Sequence, residues 1–90
     1  VFAITFDMDT TMLRVNDDTD SDIARTLGRF GFSRQQDSVY FGDDSVDAVR
    51  CVLAVQQLAR DHVWFKAPVR DIRMLRIEDN NDLMPAALTI

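Results

Sequence analysis

Ninety residues with a net charge of -5 make a single domain, 1–90, whose own core is marginal, so pairing with a second copy would stabilise it. With 47% hydrophobic residues the chain is globular and not disordered. It holds no apolar run near the roughly 20 residues that span a bilayer and no basic leader flank, which predicts a soluble, cytoplasmic protein with no membrane role. Residues 1–49 carry ten acids against four arginines, and residues 50–90 six bases against five acids, so any attraction for nucleic-acid phosphate must come from a local basic surface.

The first element is a strand. Phe2, Ile4 and Phe6 alternate with Ala3, Thr5 and Asp7, a period of two with one strongly apolar face. It delivers Asp7 to its C-terminal end, on the face away from the phenylalanines. Asp7-Met8-Asp9-Thr10-Thr11 also matches the DxDxT signature of haloacid-dehalogenase-type phosphatases. Size and order weigh against that reading. Each strand-helix crossover takes roughly 30 residues, too much for a wound parallel sheet here, and the acidic pair Asp43-Asp44 precedes Lys66, the sole lysine.

Residues 10–20, with Asn16, Asp17, Asp18 and Asp20, read as a solvated loop, because their acids lack calcium-loop spacing. Asp20 or Ser21 then caps a short helix in which Ile23, Leu27 and Phe30 share a face, and Gly31 stops it. From Phe32 to Gly42 the chain is too long for one strand and carries Gln35, Gln36 and Asp37 at its middle, which predicts a tight hairpin or a bulged strand. In its second arm Val39 and Phe41 are expected to face the helices, and Ser38 and Tyr40 the other way.

Gly42 to Ser45 form a turn and cap for a long helix over 46–61, apolar at Ala48, Cys51, Val52, Val55, Leu58 and Ala59. Cys51, the single cysteine, is read as a small core residue. Trp64 and Phe65 should pack beneath the end of this helix, with Pro68 in the connector. The final strand, Val69 to Ile77, is apolar on both faces, with Ile72 and Met74 assigned to the face that the helices cannot reach. Residues 83–90 form an apolar tail. Pro85 argues against a regular helix there, and an extended tail docked on a sheet edge, its own or a partner's, is expected. The order strand, helix, strand, strand, helix, strand is the split βαβ, ferredoxin-like α+β arrangement: an antiparallel sheet, two helices on one face, and the other face left for a two-fold homodimer.

Several blocks can also be read as words. Gly31-Phe32-Ser33-Arg34-Gln35-Gln36-Asp37-Ser38-Val39-Tyr40-Phe41-Gly42, then residues 48–56, Trp64-Phe65-Lys66, Val69 to Glu78, the opening Phe2 to Asp7 and the ending Asn80 to Pro85 together resemble the virulence-associated protein D family. That family is in turn similar to the small ferredoxin-like subunit of CRISPR adaptation complexes. The resemblance spans nearly the whole chain. It implies a small dimeric endoribonuclease cleaving single-stranded RNA, in some members the toxin of a toxin-antitoxin pair, held by a small antitoxin protein.

By position, Asp7 matches the family's first-strand aspartate, implied to be catalytic, and Gln36, Ser38 and Tyr40 match the hairpin motif beside it. Three departures stand out: Asp37 where glycine is common, Val1-Phe2 for the usual Met-Tyr start, and no tyrosine before the first helix. The expected site is therefore Asp7, Ser38 and Tyr40 for catalysis, with Arg34, Gln36 and Arg73 for substrate. Asp7 can bind a divalent metal such as Mg2+ that activates water, or orient a base for attack by the RNA 2′-hydroxyl. His62 is the only histidine, so a two-histidine acid-base pair within one protomer is excluded, and at a helix end it stabilises the dipole. Besides the phosphatase, the competing function is a non-catalytic interaction module of the same fold.

Overall fold

The computed structural model describes residues 1–9 and 19–90; the expected acidic loop before the first helix lies largely outside them. Strand β1 (Phe2–Met8) is followed by helix α1 (Thr19–Gly28), strands β2 (Phe32–Gln36) and β3 (Val39–Gly42), helix α2 (Ala48–Asp61), strand β4 (Val69–Arg76) and helix α3 (Met84–Leu88). The strands form one antiparallel sheet in the order β2-β3-β1-β4. This is the expected ferredoxin-like α+β topology, with α1 and α2 on one face.

The core lies between that face and the two helices. Ile4 and Phe6 from β1 meet Ile23 and Leu27 from α1, and Cys51, Ala54 and Leu58 from α2. Phe6 is its aromatic centre, with Tyr40 and Phe65 rings set edge-on at 5.9 and 5.8 Å, the geometry that ring quadrupoles favour. Cys51 and Phe65 are buried as expected. The helices are clasped by Arg29 to Asp61 at 3.0 Å and by the Thr26 hydroxyl and His62 Nε2 at 3.3 Å.

Two turns bring the hairpin against α2. Gly31 has φ +94°, a left-handed value suited to glycine, and its carbonyl accepts the Asp43 N–H at 2.9 Å. Gly42 is closer still to its neighbour: a Cβ there would stand 2.7 Å from Val46 Cβ. Helix α2 starts two residues later than the apolar pattern suggests, because Asp47 caps it by accepting the Arg50 N–H at 2.8 Å, leaving Val46 buried in the turn.

Helix α1 already includes Asp20 and Ser21, so neither caps it, and it ends at Gly28, before Phe30; three further placements differ from the sequence expectations. Tyr40 pairs with Ile4, and paired residues share a face, so Tyr40 and Ser38 leave the sheet toward the helices while Val39 and Phe41 face away. In β4, Ile72 and Met74 pair with Phe6 and Ile4, which puts them on the helix side and Leu75 on the open side. The tail forms the short helix α3, with Pro85 in its first turn, where its fixed φ suits a helix and its missing N–H costs nothing. None of α3 is buried, and it does not dock on a sheet edge.

Candidate active site

The residues singled out from the sequence divide between the two sides of the sheet. On the open side, Asp7 is exposed and is paired in register with Asp71 of β4. Thr5 is paired with Arg73, whose Nε donates to Asp71 Oδ2 at 2.9 Å. Asp7 thus stands beside a second carboxylate and a guanidinium, with no ion pair of its own among the described residues. Gln36 pairs with Val39 across a bulge, which places it on the open side of the edge strand, two strands from β1.

Local structure exposes Asp7. Phe6 N–H donates to Ser38 O at 2.9 Å, where the hairpin turns, so Asp7 lies past Val39, the first residue of β3, and has a strand beside it only on the β4 side. A bulge follows it, between Asp7 and Met8. Asp9 is drawn to Pro68 by its N–H, at 2.6 Å, and to Arg70, at 3.6 Å. The two carboxylates of the DxDxT match therefore have different partners.

On the helix side, Ser38, Tyr40 and Arg34 line a cavity of about 340 Å³. Arg34 donates from Nε to Asp37 O at 3.1 Å and sits 3.3 Å from Asp20 and 3.5 Å from Asp37. Burial raises the Tyr40 phenol above its ordinary value, opposed by Arg34 and reinforced by Asp20, so it stays a neutral donor. Ser38 and Tyr40 are consequently separated from Asp7 by the sheet, and Arg73, not Arg34, is the arginine on the Asp7 face. His62 is the C-terminal cap of α2 and stacks on Trp64 at 5.2 Å, away from both groups.

Asp71 and Asp20 are not among the site residues expected from the sequence, where Asp20 is read only as a loop acid and helix cap. Both become neighbours of the site only through pairing register and helix docking, which no short motif encodes. A divalent metal at Asp7 would find Asp71 as a second carboxylate. Among the described residues no group of three His, Cys, Asp or Glu donors gathers, so those residues do not by themselves furnish the three-ligand set that a firmly held metal needs.

The matched relatives carry one name between them. No family model matches the chain. It is 49% identical over 90 residues to the protein named Endoribonuclease VapD homolog from Helicobacter pylori, covering 96% of this chain and 95% of that one. It is 46% identical over 92 residues to Endoribonuclease VapD 2 from Riemerella anatipestifer, covering 96% and 98%. Endoribonuclease VapD from Dichelobacter nodosus is 31% identical over 87 residues, 91% of each chain.

Proposed function

This chain belongs to the VapD family of endoribonucleases, and from that premise we propose that it cleaves single-stranded RNA internally, with Asp7 as the catalytic group. The observation that carries the reading is 49% identity across almost the whole of both chains, far more than a shared fold would give. The geometry fits. Asp7 is an exposed carboxylate at the rim of the sheet, and Arg73 brings positive charge to the same face.

Asp7 accepts the proton of a ribose 2′-hydroxyl as that oxygen attacks the adjoining phosphorus. The bond from phosphorus to the next 5′-oxygen breaks, and that oxygen takes a proton from water. Arg73 offsets charge on the phosphate. The Asp7 and Asp71 carboxylates would hold an Mg2+ ion on this face, where it would offset charge on the phosphate.

The open face supports a homodimer. Val39 and Phe41 are half-buried, Leu75 is 45% exposed, and all three face away from the helices, so they form an apolar patch that a second copy would cover and that would bring two Asp7 side chains toward one interface. As the resemblance implies, the enzyme acts in the cytoplasm as the toxin of a pair and is restrained by a small antitoxin protein. The direct test is a closed circle of single-stranded RNA, which only an internal cut can open. Linear product at micromolar protein is expected. A circle left intact would overturn the assignment and favour a non-catalytic interaction module.

A further inference from the structure

The cavity under the β2-β3 hairpin is unassigned by the cleavage step. Its volume, about 340 Å³, falls in the range of roughly 300–1,000 Å³ of sites that take small organic ligands. Its floor is apolar, made by Phe6, Met8 and Ile23, and its polar groups stand at the wall and mouth. Some of those groups have unused hydrogen-bonding capacity. Thr19 lines the cavity, is 6% exposed, and its Oγ1 is buried without a partner among the described residues. The Tyr40 hydroxyl likewise makes no hydrogen bond among them.

Charge decides which part of an RNA can enter. Arg34 is the cation among the described lining residues, and it lies within 3.3 Å of Asp20 and 3.5 Å of Asp37. Both carboxylates are held on the Arg34 guanidinium, which leaves it no free charge for a phosphate, whereas Arg73 on the Asp7 face is held by Asp71 alone among the described residues. The remaining lone pairs of Asp20 and Asp37 accept hydrogen bonds from amino groups on a base edge. Adenine, guanine and cytosine carry such a group; uracil presents one N–H between two carbonyls. An apolar floor with an aromatic ring and a polar mouth is the usual receptor for an unstacked base.

Position links the cavity to cleavage. Phe6 and Met8 line it and flank Asp7 in the chain, and the hairpin turn meets β1 where the Phe6 N–H donates to Ser38 O. The cavity and Asp7 lie on opposite sides of the sheet at the same end of β1. We infer that the cavity receives one splayed-out, amino-bearing nucleobase beside the phosphate cut at Asp7, and discriminates against uracil. The link to cleavage rests on the endoribonuclease reading; base binding does not.

The test uses the Asp7→Asn protein titrated with AMP, GMP, CMP and UMP, followed by NMR at the Met8 and Ile23 methyl groups. The amino-bearing nucleotides should shift both signals, with UMP at least about tenfold weaker, as one lost carboxylate-to-amino pairing allows. Adding Asp20→Asn and Asp37→Asn, both on exposed side chains, should erase most of that gap. No shift at either methyl at about 10 mM, a concentration that detects even millimolar binding, or equal binding of UMP in the Asp7→Asn protein, would overturn the inference. Wild-type cleavage measured in parallel separates the two readings: nucleotide binding without cleavage leaves the base cavity standing and removes the enzyme, and cleavage without nucleotide binding does the reverse.

Discussion

Asp7 and Asp71 face each other across β1 and β4, and like charges directly opposite are destabilising in a sheet. Arg73 relieves the strain by pairing with Asp71; Asp7 is left to the solvent. Asp7→Asn should therefore melt no lower than wild type and slightly higher, while losing RNA cleavage, the trade between stability and activity expected where a site holds uncompensated charge. Differential scanning fluorimetry at low salt checks this, and a clear drop in Tm would show that Asp7 has a structural partner.

Tyr40 carries a second consequence. Its folded pKa is raised above the ordinary value of about 10 by burial. Its contribution to stability is complete below the unfolded value and is lost as pH rises through the folded one. Tyr40→Phe should accordingly blunt the loss of Tm above about pH 10. An alkaline profile identical to wild type would remove Tyr40 as its cause. Alternation alone did not say which arm of the hairpin faces inward. Val39 and Phe41 look more apolar than Ser38 and Tyr40, and only the pairing of Tyr40 with Ile4 decides the matter.

At the scale of elements, the order and type of β1, α1, the hairpin, α2 and β4 were legible because each has a clear period or stop signal. Asp7 was legible as an exposed residue at a strand end. Its neighbour Asp71 was not, since β4 is apolar on both faces and its register is set by β1. The tail differs from its expected extended form for a local reason: Pro85 forbids a helix interior but suits a first turn.

The tightest joint between elements is Gly42 against Val46. A methyl group added at 2.7 Å from a backbone-anchored Cβ cannot be relieved by a side-chain rotation, so Gly42→Ala should cost about 1–3 kcal/mol, as overpacking does. Adding Val46→Ala leaves the two Cβ atoms in conflict and should restore only part of the loss. Chemical denaturation measures both. At the start of α2, Asp47→Ala removes the cap on the Arg50 N–H and should cost about 1 kcal/mol.

On the scale of the whole molecule, the patch of Val39, Phe41 and Leu75 on the open face is the surface proposed for a second copy, in place of Ile72 and Met74 on the helix side. Phe41→Asp should give a monomer by light scattering with a lower Tm. Met74→Asp lies on the helix side and should remain dimeric, and if it instead dissociated while Phe41→Asp did not, the dimer would use another face. Leu83, Met84, Leu88 and Ile90 are exposed in the tail, and removing residues after Asp82 tests whether they join the same interface. With a net charge of -5, the molecule gains RNA affinity from few arginines, and binding should fall steeply with salt.

The RNA cleavage proposed for this chain runs through Asp7. The most direct measurement is single-turnover cleavage of an end-labelled single-stranded RNA by wild type and Asp7→Asn, purified side by side and assayed with and without a metal chelator. Wild type should produce internal fragments and Asp7→Asn should leave the RNA intact under the same conditions. Fragments of equal size and rate from both proteins would contradict the claim.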